Sequence, residues 1–299
     1  MQVGFQRMTI NNVADDIQAM IKAGRQADAA QAAYQAATTG RADPQVLAVG
    51  GAAAYQAGAD GLALELFSRL DARQALDATQ WAMMGHAAER LGVSRVALHA
   101  YRRSLGLHPA SPAVHYNLGS LYLRRHQWTD AIEHLRAACE ANPGWEAAWE
   151  NLAQAMMGTE HYEVVVPFLE DCMARFPDNA DFVLHHAQAL MHKGDRAAAE
   201  AAFRSLTQRL PSEAIVWAGL AAAVIQDGRM DEAADIILQA RAKGAASADL
   251  DEMAASRVSG NTAETQSVLP HNTSVRLWNE TPVAEAIPIN MGLASVGPM

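Results

Sequence analysis

The sequence predicts an all-α fold made of repeated helix pairs, and three observations support this prediction. Apolar residues recur at steps of three and four, as with Leu118 and Tyr122 or Ala131 and Leu135, which places them on one helix face. Alanine, which has the highest helix propensity, is abundant, whereas aromatic residues make up only 6% of the chain. The pattern returns every 34 residues, so one helix pair follows another along the sequence.

The clearest helix pair is predicted over Pro112–Trp145. Small Gly119 in its first helix would let the second helix approach closely, and Pro143 ends the second helix. Thr129 or Asp130 is expected to cap that second helix by accepting orphan backbone N–H groups. The pair has one apolar face and nothing of its own to bury it against, so it needs neighbouring pairs.

Equivalent positions of the other pairs carry the same kinds of residue. The bulky residue near the start is Trp81, Trp149 and Trp217, with His115 as a departure from the pattern. The small residue that meets the second helix is Gly51, Gly85, Gly119, Ala153, Ala187 and Ala221. The small residue of the second helix is Ala29, Ala63, Ala97, Ala131, Ala199 and Ala233. The closing proline is Pro109, Pro143, Pro177 and Pro211.

This pattern resembles the tetratricopeptide repeat (TPR) of bacterial-type proteins. The resemblance covers about residues 10–247 and implies a right-handed α-solenoid of seven helix-turn-helix repeats. The repeats would start at residues 10, 44, 78, 112, 146, 180 and 214. We expect a leader over residues 1–9 and a capping helix over 248–258, which would cover the apolar end of the seventh repeat.

An irregular C-terminal tail is predicted over residues 259–299, where prolines disfavour a long helix. Its Ser, Thr, Asn, Pro and Gly content favours a disordered segment, but Leu277, Trp278 and Ile287 are rather apolar for a spacer. Three interpretations stay open: a disordered tail, a segment that docks on the solenoid or on another copy to form a homo-oligomer, and the first stretch of a further domain.

The composition disfavours several classes of protein. The net charge of −10 argues against nucleic-acid binding, which needs clustered Lys and Arg. No stretch approaches the roughly 20 apolar residues of a membrane span, and the start lacks a signal-peptide pattern, so we expect a cytoplasmic protein. Cys139 and Cys172, the two cysteines, are expected to be buried free thiols.

The resemblance implies that the first helices line a concave groove, which holds the candidate site. Asn117 and Asn151 fall at the position where peptide-binding members hold the main chain of an extended peptide, and a carboxamide both donates and accepts hydrogen bonds. Some relatives bind an acidic C-terminal tail through a carboxylate clamp, which is formed by Lys, Arg and Asn side chains of the first helices. Tyr116 and Glu150 occupy positions where that clamp would need other residues, so an acidic tail is a disfavoured partner. The predicted partner-binding residues are His86, Arg90, Tyr116, Asn117, Leu123, Arg124, Glu150, Asn151, Gln154, Met157, His185 and Gln188.

Neither catalysis nor metal binding is predicted. The chain has no HExxH, GxSxG, CxxC or glycine-rich phosphate-loop motif. His185 and His192 lie about 10.5 Å apart along one helix face, too far to share one metal ion. We therefore expect no cofactor.

The sequence favours a non-catalytic scaffold or adaptor that binds an extended peptide or a partner helix in the groove. Two alternatives stay open. The repeats could be the substrate-recruiting arm of a larger enzyme, of the glycosyltransferase, sulfotransferase or oxygenase type, or they could serve self-assembly.

Overall fold

The protein is all-helical over the residues that its structure, a computed structural model, describes, which are residues 13–259. Within this range the chain forms fifteen helices and no strand. The helices are α1 Val13–Lys22, α2 Gln26–Thr38, α3 Pro44–Gln56, α4 Asp60–Asp71, α5 Ala78–Arg90, α6 Ser94–Leu107, α7 Pro112–Leu123, α8 Trp128–Ala141, α9 Glu146–Met157, α10 Tyr162–Arg175, α11 Ala180–Lys193, α12 Arg196–Arg209, α13 Ala214–Gln226, α14 Met230–Ala242 and α15 Ala248–Ser259.

The first helix of each pair recurs with the period of the sequence. Helices α3, α5, α7, α9, α11 and α13 begin 34 residues apart, at residues 44, 78, 112, 146, 180 and 214. The described residues divide into two compact parts, an N-terminal part (residues 13–122) and a C-terminal part (residues 123–259). Within the N-terminal part α3 packs against α1 and α5, and within the C-terminal part α11 packs against α9 and α13. In each part, therefore, these first helices pack side by side, and each of them also packs against its own second helix.

One turn conformation recurs between the two helices of every pair. Glycine adopts a left-handed backbone there at Gly24, Gly58, Gly92, Gly194 and Gly228, with φ between 71° and 94°. In the fourth and fifth pairs the same position holds His126 (φ 55°) and Glu160 (φ 60°). These are uncommon values for residues with a Cβ atom, so the packing of the helices, and not the residue type alone, sets this turn.

Small residues let the two helices of a pair approach closely. A Cβ atom added to Gly51 would lie 2.7 Å from the Phe67 ring, and one added to Gly85 would lie 2.6 Å from the Tyr101 ring. Real Cβ atoms do not approach a ring so closely, so these two glycines make room for the aromatic residue of the second helix.

Each part has its own apolar core. Phe67, Trp81 and Tyr101 are fully buried in the N-terminal part, and Phe182 and Phe203 are fully buried in the C-terminal part. Because these side chains come from both helices of a pair, burying them fixes how the pair packs.

The last described helix, α15, covers the end of the C-terminal part. It contacts α13 and α14, and its Leu250 and Met253 are buried. This helix lies where the sequence predicts a capping helix. The predicted leader and nearly all of the predicted tail fall outside the described residues.

Two further sequence expectations concern single residues. Cys139 and Cys172 are buried free thiols, as predicted, and burial raises the pKa of each to about 12. The predicted cap of α8 is wrong, because α8 begins at Trp128 and its N-cap residue is Gln127, whose side chain makes no capping bond. Thr129 lies inside the first turn of α8, since the recurring turn starts the helix before it.

None of the described helices is long and apolar enough to cross a bilayer.

Candidate partner-binding surface

In the N-terminal part, His86 is hydrogen-bonded to Tyr55 of the preceding first helix. The Tyr55 hydroxyl on α3 lies 2.7 Å from Nδ1 of His86 on α5. His86 exposes only 6% of its surface, and burial lowers the pKa of its imidazole. Burial also raises the pKa of the Tyr55 phenol, so both groups are neutral at pH 7.

Arg90, one turn beyond His86 on α5, holds this pair in place. Its guanidinium lies 5.1 Å from the centre of the Tyr55 ring, and its Nε donates to both carboxylate oxygens of Asp60, at 2.9 and 3.0 Å. The Arg90 charge is therefore already compensated within the protein. Tyr55 and Asp60 are absent from the predicted set, although the repeat period placed Tyr55 on a first helix.

The remaining predicted residues near the middle of the chain differ in how accessible they are. On α7, Asn117 is buried with 8% of its surface exposed, whereas Tyr116 is partly exposed. Leu123 is buried with 7% exposed and Arg124 is exposed. Tyr116 and Arg124 are therefore more accessible to a partner than Asn117.

A group of carboxylates lies at the N-terminal ends of α9 and α11 in the C-terminal part. The side-chain amide of Asn179 donates to Glu146 and to Glu150, each at 2.6 Å. Burial raises the pKa of Glu150, and burial followed by the charge of Glu146 raises the pKa of Asp181. No Lys or Arg among the described residues pairs with these three carboxylates. The predicted set contains Glu150 but not Asn179, whose cap position joins two successive repeats.

Two glutamine side chains occupy the same position of successive first helices. Gln154 on α9 and Gln188 on α11 are 34 residues apart, and α9 packs against α11. Both side chains are partly exposed, and neither amide has a hydrogen-bond partner among the described residues. Each amide therefore offers one acceptor and two donor hydrogens to a molecule that lies across the two helices.

The other predicted residues of the C-terminal part fall into two groups. Asn151 and Met157 on α9 are partly exposed, one turn on either side of Gln154. His185 on α11 exposes 3% of its surface, and burial lowers its pKa to about 4, so its ring is neutral. His185 is thus mainly a packing residue, whereas Asn151, Gln154, Gln188 and Met157 are accessible.

The fold and a family comparison identify the repeats. The family model described as "Tetratricopeptide repeat" matches residues 82–144 and 174–248. The chain belongs to the tetratricopeptide repeat family. TPR proteins are protein-interaction scaffolds. The described helices show no group of three or more His, Cys, Asp or Glu side chains that could hold a metal ion.

Solved TPR structures have the same fold at low sequence identity. The C-terminal part of a TPR repeat-containing protein from Cytophaga hutchinsonii is 12% identical with a TM-score of 0.63, and the match covers 80% of this chain and 98% of that part. YrrB, described as a TPR protein with an unusual peptide-binding site, is 16% identical with a TM-score of 0.50 and is matched over 60% of this chain and 93% of its own.

MamA is 17% identical with a TM-score of 0.50, over 56% of this chain and 91% of its own. No curated protein matches the chain.

Proposed function

We propose that this TPR protein is a non-catalytic scaffold that binds an extended peptide of a partner protein along its first helices. The observation that carries the proposal is the pair of Gln154 and Gln188. Their amides are partly exposed, belong to helices that pack together, and have no hydrogen-bond partner among the described residues. The main chain of an extended peptide presents N–H and C=O groups, which are the partners that a carboxamide needs.

The other predicted residues belong to the first helices of each part, taken by itself. Asn151 and Met157 flank Gln154 on α9, so they would contact the same segment of the peptide. Asn117 occupies the position of Asn151 in the preceding repeat, and Tyr116 and Arg124 are the accessible residues near it in sequence. An extended peptide is favoured over a partner helix, because the backbone groups of a helix are already paired within the helix.

The proposal is supported by a precedent in the same fold. YrrB combines TPR repeats with a peptide-binding site, although at 16% identity the likeness extends to the fold alone. In the present chain, the support comes from the partial exposure of Gln154 and Gln188 and from their lack of a hydrogen-bond partner among the described residues.

The test uses synthetic dodecapeptides selected from a random phage-displayed library on the wild-type chain. Fluorescence anisotropy then measures their dissociation constants for wild type and for the Gln154→Ala/Gln188→Ala double variant. We expect affinity to fall about tenfold or more, because two hydrogen bonds at about 1 kcal/mol each are lost. Gln208→Ala, which removes an exposed amide from the second helix α12, is the control and should bind as wild type.

Unchanged affinity in the double variant, with an unchanged circular dichroism spectrum, would remove these amides from the binding surface. The Asn117→Ala/Asn151→Ala variant, measured on the same peptides, tests the second pair of amides. If neither double variant alters the affinity of any peptide, binding along the first helices is wrong.

A further inference from the structure

One ring nitrogen of His86 is buried without a hydrogen-bond partner. The imidazole is fixed at Nδ1 by the Tyr55 hydroxyl, but Nε2, on the opposite edge of the ring, has no partner among the described residues and is shielded from solvent. A buried polar group without a partner costs about 1–3 kcal/mol. A protein that keeps such a group on a first helix retains an unmet hydrogen-bonding capacity there.

The hydrogen bond between Nδ1 and Tyr55 determines whether Nε2 is a hydrogen-bond donor or an acceptor. If the Tyr55 hydroxyl donates to Nδ1, then Nε2 carries the hydrogen of the neutral ring and is the one unmet group. If Nδ1 donates to Tyr55 instead, both Nε2 and the hydroxyl hydrogen lack a partner among the described residues. The first arrangement leaves fewer unmet groups, which favours the tautomer in which Nε2 carries the hydrogen.

The donor is held in a fixed direction. Arg90 packs over the Tyr55 ring and is itself anchored by Asp60, and its Nη2 also donates to the Tyr55 main-chain oxygen at 3.4 Å. The Tyr55 and His86 rings lie 5.7 Å apart and are tilted by 57°. A pre-oriented donor loses little conformational entropy when it forms a bond.

Because Nε2 is shielded from solvent, a ligand can reach it only after a neighbouring side chain moves. Met83 lies one turn before His86 on the same face of α5, and it is buried at 2% exposure. Methionine is unbranched and changes rotamer at low cost, so its side chain can move aside for an occupant.

We propose that Nε2 of His86 donates a hydrogen bond to a main-chain carbonyl oxygen of a peptide bound along the first helices of the N-terminal part. This inference rests on the proposed peptide-binding function and adds a contact that the glutamines do not provide. A carbonyl fits better than a carboxylate, because Arg90 is already neutralised by Asp60 and Glu89 adds further negative charge nearby.

The test uses the full chain and the panel of selected dodecapeptides. His86→Phe keeps the ring but removes the donor, and we expect it to weaken at least one class of peptide about tenfold. His86→Gln, which returns an N–H donor, should recover part of the affinity. His99→Phe, at an exposed position of the second helix α6, should bind every peptide as wild type.

A second readout follows the bond directly. In wild-type protein labelled with ¹⁵N-histidine, NMR should show the Nε2–H tautomer of His86, and saturating peptide should move its proton signal downfield. This measurement also decides the question if His86→Phe does not fold.

Two results would overturn the inference: every peptide binds His86→Phe within twofold of wild type, or the Nε2–H signal does not move with any peptide. If the glutamine double variant still loses affinity in that case, the proposed function stands and only the role of His86 fails.

Discussion

Nε2 of His115 makes a 2.9 Å hydrogen bond with the main-chain oxygen of Pro109, six residues earlier. In two other repeats a tryptophan at the same position makes the equivalent bond. Nε1 of Trp149 donates to Pro143 at 3.1 Å, and Nε1 of Trp217 donates to Pro211 at 2.8 Å. His115 therefore departs from the sequence pattern in size but keeps the bond that ties the first helix to the preceding loop.

The first prediction removes this bond without removing the ring. His115→Phe should lower the free energy of unfolding by about 1 kcal/mol, because the Pro109 oxygen loses its donor. Trp149→Phe loses the equivalent bond and also part of the ring that stacks on Phe168 and lies under Arg175, so it should cost more. Urea unfolding followed by far-ultraviolet circular dichroism measures both. If His115→Phe unfolds at the wild-type urea midpoint, the bond to Pro109 does not stabilise the protein.

The second prediction compares two glycines of one helix pair. Gly85→Ala should destabilise the protein by about 1–3 kcal/mol, because the new methyl group would meet the Tyr101 ring. Gly106→Ala, in α6 with no atom within 4 Å of the new Cβ, should be neutral or stabilising by about 0.5 kcal/mol. Thermal unfolding of both variants measures the difference. Equal midpoints would show that the Gly85 contact is not tight.

The third prediction concerns the turn between α9 and α10. Glu160→Gly should stabilise the protein by about 1 kcal/mol, because glycine adopts the left-handed backbone (φ 60° at Glu160) at no steric cost. Gly92→Ala, at the equivalent position of the third repeat (φ 72°), should destabilise it by a similar amount. Urea midpoints of the two variants should therefore move in opposite directions. A shift of both in the same direction would contradict this account of the turn.

The fourth prediction uses the opposite pKa shifts of two glutamates. Burial raises the pKa of Glu150 above its ordinary value of 4.5. Protonated Glu150 therefore makes its full contribution to the free energy of unfolding below pH 4.5, and this contribution is lost as pH rises through the native pKa. Glu150→Gln still accepts a bond from Asn179 but carries no charge. It should raise the melting temperature at pH 7, and its advantage should shrink as pH falls toward 4.5.

Glu200 provides the matched contrast. Hydrogen bonds from Arg229, then from Arg204, lower its pKa, so its stabilising effect is present above pH 4.5 and is lost as pH falls through the native pKa. Glu200→Gln should lower the melting temperature at pH 7, and this loss should diminish at acid pH. Melting curves between pH 4 and 8 for both variants should show shifts of opposite sign at pH 7. Shifts of the same sign at pH 7 would contradict a raised pKa for Glu150 together with a lowered pKa for Glu200.

Much of the architecture could be predicted from the sequence because its causes are periodic and local. The small residue at the position of Gly85 and the large residue at the position of Tyr101 recur every 34 residues. The first helices begin with the same period, from residue 44 to residue 214. The start of α8 was mispredicted, because Thr129 is a good cap in isolation but the turn at His126 already starts the helix earlier.

The candidate surface was only partly predictable. Repeat position alone identified His86, Gln154 and Gln188, but it treated buried and accessible side chains alike. It could not show that His185 is buried or that Asn179 joins Glu146 to Glu150, since both facts depend on how successive helices pack.

The sequence by itself determined the all-helical class and the 34-residue period, because both follow from residue type and spacing along the chain, and the resemblance of this pattern to a known repeat indicated the family. Only the tertiary structure decided which polar groups have partners. Tyr55 satisfies Nδ1 of His86 and leaves Nε2 unmet, and Arg90 is neutralised by Asp60 from another helix pair. The physical reason is that a hydrogen bond depends on distances of about 3 Å between side chains some 30 residues apart, which spacing along one helix does not encode.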